Sequence, residues 1–78
     1  MKRTLWRMHP GKGHEKIADY EVGITSPERL AEIEQEFNHW VKEKKFRGAD
    51  ITDQRNILID QFDPALDILL IAPLQGGA

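Results

Sequence analysis

The chain has 78 residues, 40% of them apolar and 31% charged, with a formal net charge of -2 and no cysteine. That length supports one small domain with a marginal core. The missing cysteines exclude a disulfide framework, a thiolate metal site and a cysteine nucleophile, and the mildly acidic, mixed charge argues against a nucleic-acid or membrane footprint.

In chain order, Lys2 to His9 reads as a first strand, with Thr4, Trp6 and Met8 on one face, Arg3, Arg7 and His9 on the other, and Leu5 the exception on that second face. Pro10-Gly11-Lys12-Gly13-His14 is dense in turn residues and predicts an antiparallel connection. The second strand is expected over Lys16 to Ile24, with Ala18, Tyr20, Val22 and Ile24 on one side and Asp19 and Glu21 on the other. Ser26-Pro27 starts a helix: the serine caps it and the proline suits the first helical position, with Thr25 and Glu28 offering an alternative capping box. The helical pattern runs to about Lys45, placing Leu30, Ile33, Phe37, Trp40 and Val41 on one face, with Gly48 as its stop. Ala49 to Asn56 is expected to be a loop, Ile57-Leu58-Ile59 a short strand, and Gln61 to Ala65 a turn in which Phe62 plugs the end of the core.

The last stretch carries the most information. Asp67-Ile68-Leu69-Leu70-Ile71-Ala72-Pro73-Leu74 is an apolar run without alternation, the pattern of a strand buried on both faces and therefore central in its sheet. Pro73 has no amide hydrogen for a ladder, so pairing should fail near it and the chain should leave the sheet as Gln75-Gly76-Gly77-Ala78. The expected fold is α+β, ordered strand, strand, helix, strand, strand, with a four-stranded mixed sheet and one helix on one face. Residues 1–78 form a single domain in this reading, and 75–78 a flexible tail. With the last strand beside the first and parallel to it, and the second and third strands at the edges, the arrangement is a β-grasp. One helix covers only one face, so either Ile68/Leu70/Ala72 or Leu69/Ile71 should form an apolar patch open to a partner.

This order, and a Gly76-Gly77 pair closing a central apolar strand, resemble the ubiquitin-like and sulfur-carrier superfamily. Asp67 to Ile71 followed by Leu74-Gln75-Gly76-Gly77 is similar to the closing segments of the thiamine sulfur carrier and of the small subunit of molybdopterin synthase. Asp53-Gln54-Arg55-Asn56-Ile57-Leu58-Ile59 is reminiscent of the third-strand region of ubiquitin. The resemblance implies a carrier or modifier with no catalysis and no cofactor of its own. An adenylating activating enzyme, which uses the ATP, would act on the Gly77 carboxylate; Gly76 lets the chain thread a narrow channel, and Leu74 and Gln75 supply reach. The product would be a thiocarboxylate for sulfur transfer or a conjugate to a target. The chain departs from the sulfur carriers in ending at Ala78, so a processing peptidase is implied as well.

Two other readings stand beside it: an unconjugated β-grasp adaptor, and a small nucleic-acid binder using Lys42, Lys44, Lys45 and Arg47, a cluster the helix dipole already explains. Leu69 and Ile71 are the sheet-face residues assigned to a partner, with homodimerisation through that face as the alternative. His9, His14 and His39 lack metal spacing, no carboxylate pair has acid-base geometry, Gly11-Lys12-Gly13 reads as a turn, and Trp6 and Trp40 read as core. No run approaches the length of a membrane span, and Thr4-Leu5-Trp6-Arg7 is no signal-peptide core, so no membrane partner is expected and the location expected is cytoplasmic.

Overall fold

The computed structural model describes residues 1–9, 11 and 13–73. Its elements are β1 (Arg3–His9), β2 (Gly13–Tyr20), α1 (Pro27–Asn38) continued by a π-helical turn (His39–Glu43), β3 (Arg47–Asp50), a 3-10 turn (Thr52–Gln54), β4 (Ile57–Ile59) and β5 (Ile68–Ile71). The sheet order is β2-β1-β5-β3-β4, with β1 and β5 parallel and the other pairs antiparallel. The architecture is therefore α+β, one helix on a mixed sheet, but the sheet has five strands where four were expected. The added strand, β3, lies in what reads as helix stop and loop, and it inserts between the last strand and the edge strand Ile57–Ile59.

β3 escapes sequence reading because Arg47-Gly48-Ala49-Asp50 has neither alternation nor β-branched residues. Its place is made by Gly48. A Cβ there would sit 2.9 Å from Phe37 Cε2 and 3.2 Å from the Ile59 carbonyl oxygen, so only glycine lets the Phe37 ring lie on the sheet. Gly48 thus does not end the helix. The end comes earlier, where Lys45 takes a left-handed φ of 64° and the Phe46 N–H donates to the Trp40 carbonyl at 2.9 Å.

β2 is shifted from the expected Lys16–Ile24: it starts at Gly13, taking in Gly13 and His14 that read as turn, and ends at Tyr20. Gly23 has a φ of 83°, and the Ile24 and Thr25 amides both donate to the Glu21 carbonyl, so the chain turns toward the helix after Tyr20. Val22 and Ile24, expected on the strand's apolar side, lie in this turn and are exposed. A bulge between Leu5 and Trp6 leaves Ile17 as the extra residue opposite β1, so Ile17 and Ala18 both reach the core.

The core lies between α1 and the sheet: Leu5, Ala18, Tyr20, Ile33, Phe37, Ile68 and Leu70, flanked by Leu30, Trp40, Val41, Phe46, Phe62 and others. Phe62 packs edge-on to Tyr20, ring centroids 5.1 Å apart, and closes one end. The face of β1 that carries Leu5 is thus the core face, although arginines share it. Arg7 is accommodated by laying its guanidinium over the Trp40 ring, 4.5 Å from the centroid, while ion-paired with Glu15 at 2.7 Å. No helix among the described residues is long and apolar enough to cross a membrane.

Candidate functional site

The site is built on β5. Asp67, the residue before it, is a clamp: the Thr4 N–H donates to Oδ1 at 2.8 Å, Arg3 Nη1 to Oδ2 at 3.1 Å, and the Ile51 N–H to its carbonyl at 2.9 Å. The Asp67 N–H in turn donates to Thr52 Oγ1 at 2.8 Å. One residue back, the Leu66 carbonyl accepts from the Tyr20 hydroxyl at 2.7 Å. Burial, and then the negative charge of Asp67, push that phenol above its ordinary pKa. These bonds set the register in which β5 enters between β1 and β3.

The register decides which side chains meet the helix. Ile68 pairs with Leu5 and Asp50, and Leu70 with Arg7 and Gly48; both side chains are fully buried beneath α1. Leu69 and Ile71 therefore point to the opposite face. Leu69 sits between Trp6 and Ala49, and Ile71 beside Arg47. The pairing adds Leu58 next to Ala49, and alternation along β1 adds Met8. The outer face thus carries an apolar strip in which Leu58 is exposed, Trp6, Met8, Leu69 and Ile71 are half-buried, and Ala49 is fully buried among them. Its β2 margin is polar, because Thr4, Trp6 and Met8 pair with Asp19, Lys16 and His14. There the Thr4 hydroxyl donates to Asp19 Oδ1 at 2.7 Å and Lys16 Nζ lies 3.0 Å from Oδ2. The hydroxyl, and then the ammonium, hold the Asp19 carboxyl below the usual carboxylate range.

Trp6, expected in the core, lies on this outer face instead; only Trp40 is on the helix side, packed 5.0 Å from Phe46. Trp6, Met8, Ala49 and Leu58 are members of the strip that sequence reading did not gather. The available signal was Leu5: if one leucine among arginines marks the core face, its tryptophan neighbour must face outward. Leu74, Gln75, Gly76 and Gly77, the residues assigned to carriage, lie outside the described residues, as does Ala78.

Opposite the strip's chemistry is a polar turn after β3. Asp50 is buried, accepting from the Thr52 N–H at 2.9 Å and from Arg55 Nη1 at 3.3 Å. Hydrogen bonding from Thr52, and then from Arg55, holds the Asp50 carboxyl below its ordinary value. Asp53 and Gln54 follow with positive φ of 52° and 66°. Thr52 ties this turn to Asp67 ahead of β5, and its bonds to Asp50 and Arg55 close the turn on itself, so it is read as structural. Among the described residues no group of three or more histidine, aspartate or glutamate side chains could hold a metal ion. The basic cluster expected at the helix end is divided, since Arg47 has left the helix for β3. Compared with protein-family models, with curated proteins and with solved structures, the chain matches none.

Proposed function

We propose that this chain is a ubiquitin-like carrier or modifier of β-grasp fold, whose Gly77 carboxylate is the reacting group. The observation that carries the reading is the position of β5: the strand leading into the diglycine is flanked on both sides, parallel to β1 and antiparallel to β3. A single helix on a sheet ordered β2-β1-β5-β3-β4 is compatible with a β-grasp in which β3 is added beside the last strand. An activating enzyme can grip the body while its channel receives residues 74–77.

The chemistry would proceed in balanced steps. A peptidase hydrolyses the Gly77–Ala78 bond, leaving a glycine carboxylate. That carboxylate attacks the α-phosphorus of ATP on the partner enzyme, expelling pyrophosphate and forming an acyl adenylate. Sulfide then displaces AMP to give a thiocarboxylate directly, or a donor persulfide displaces it to give an acyl disulfide from which a second thiol releases the thiocarboxylate, leaving the donor sulfur in a disulfide with that thiol. In a modifier, an enzyme thiol displaces AMP to give a thioester that an amine on the target resolves, releasing the enzyme thiol. Glycine is required at 76 and 77 because a Cβ would collide with the walls of a channel narrow enough to exclude water. Gly77 is the carrier position, Gly76 its access, and Leu74 and Gln75 the reach.

The strip containing Leu69 and Ile71 favours a second reading, an adaptor that binds through its sheet face and is never conjugated. The discriminating experiment is intact-mass analysis of the protein isolated from its native cells, beside complementation by a variant lacking Gly76–Ala78 and by Leu69→Asp. Carriage predicts loss of Ala78 with exchange of one oxygen for sulfur, or a ladder of conjugates, and no complementation by the truncation. A truncation that complements fully while Leu69→Asp does not would replace the carrier reading with the adaptor.

A further inference from the structure

The two edges of the sheet are unlike each other. The β2 edge is defended: His14, Glu15 and Lys16 are exposed along it, and the bulge at Ile17 breaks its regularity. The β4 edge has no such device. Ile57-Leu58-Ile59 contains no charge, proline, glycine or bulge, and Ile57 and Leu58 are 56% and 58% exposed. Arg55, two residues before the strand, is also extended, with φ -68° and ψ 166°.

We propose that this edge is a self-association site, at which β4 pairs antiparallel with β4 of a second copy across a two-fold axis through Leu58. Unpaired strand N–H and C=O groups call for an extended chain as occupant. The side chains identify that chain as another copy of this one. Centred on Leu58, the pairing sets Leu58 against Leu58 of the second copy on the outer face and Ile57 against its Ile59 on the helix side. It also sets Asn56 against Asp60 of the second copy, twice by symmetry. Asp60 is exposed and has no ion-pair partner among the described residues, so its carboxylate is available to accept from the Asn56 amide. The neighbouring in-phase registers lose this match: centring on Ile57 sets Asn56 against Leu58 and Arg55 against Ile59, and centring on Ile59 sets Leu58 against Asp60. The segment from Asn56 to Asp60 is self-complementary in one register, as an isologous contact must be. Joined in this way, the two sheets become one, and the two apolar strips meet along Leu58.

So short a strand pair is a small interface, and the dimer should accumulate only at high protein concentration. The test is sedimentation equilibrium of the full chain up to about 1 mM, with Leu58→Lys, Asn56→Asp and Asn56→Lys beside it. All three substitutions are on exposed residues, and far-ultraviolet circular dichroism checks that the fold is kept. The expected result is a monomer-dimer equilibrium that Leu58→Lys abolishes, that Asn56→Asp weakens at least tenfold by setting carboxylates opposite each other, and that Asn56→Lys tightens. Because the chain has no cysteine, Leu58→Cys should also form an intermolecular disulfide under mild oxidation, while Glu34→Cys on the helix surface should not. A wild-type chain that stays monomeric throughout, or a dimer indifferent to Leu58→Lys and Asn56→Asp, would overturn the proposal; the second result would move self-association to another surface.

Discussion

At the scale of single residues, the fold turns on atoms whose presence or absence cannot be traded. Gly48 is the clearest: Phe37 is fully buried above it, so a methyl group at 48 has no direction in which to push the ring. Gly48→Ala should destabilise the protein by about 1–3 kcal/mol, the range for overpacking a filled core. Adding Phe37→Leu should return part of that loss relative to Phe37→Leu alone, a coupling that a double-mutant cycle in urea would measure. Tyr20 gives a second prediction. Its phenol is held neutral by burial, so the folded state titrates above the unfolded one. The stability it supports is fully present below about pH 10, the ordinary tyrosine value, and is lost as pH rises beyond it. Tyr20→Phe should remove that alkaline fall while costing about 1 kcal/mol at neutral pH for the lost bond to the Leu66 carbonyl. Urea titrations at a series of pH values separate the two effects. Neither residue announces its role in sequence: Gly48 reads as a helix stop because glycine commonly is one, and Tyr20 as one apolar position among several.

At the scale of elements, local signals were sound where they depended on neighbours in the chain. The Ser26-Pro27 start is observed as read, with Ser26 Oγ accepting from the Arg29 N–H at 3.2 Å and the proline in the first turn. Ser26→Ala should lower stability by about 1 kcal/mol, seen as a reduced thermal midpoint with unchanged helical content at low temperature. The far end of the helix was less legible. The periodicity through Trp40 and Val41 continues past Asn38, but the backbone there is π-helical, widening the turn so that Trp40 lies beneath Arg7 and over Phe46. Spacing alone does not distinguish a π turn from an α turn, since both keep side chains on one face over so short a run. β3 was missed for the opposite reason. Its residues have little strand preference, and they are extended because β4 and β5 flank them and Phe37 covers Gly48.

At the scale of the whole molecule, stability should be graded across the sheet. β1 and β5 pair on both sides, and their core residues Leu5, Ile68 and Leu70 are fully buried, whereas β4 is a three-residue edge with two exposed side chains. Native-state hydrogen exchange should therefore find the slowest amides in β1 and β5 and the fastest strand amides in β4, with the turn from Glu21 to Thr25 faster still. At about 1 mM, dimer formation through the β4 edge would slow exchange there selectively, linking this gradient to the self-association proposed above. β4 amides that exchange as slowly as those of β5 in dilute protein would contradict the grading.

From its sequence alone this protein determined its class, one helix against a mixed sheet, and the central place of its last strand. The apolar run marked a strand paired along both edges, but burial on both of its faces, which the run also led one to expect, is not found: Ile68 and Leu70 are buried beneath the helix while Leu69 and Ile71 are only half-buried on the other face. Tertiary structure alone decided the rest: that a fifth strand flanks β5, that Leu69 and Ile71 face away from the helix with Trp6 beside them, and that Val22 and Ile24 stay in solvent. Such outcomes depend on register and on what packs above a glycine. The Asp67 clamp and the Phe37 contact that settle them join residues far apart in the chain, beyond the reach of any local pattern.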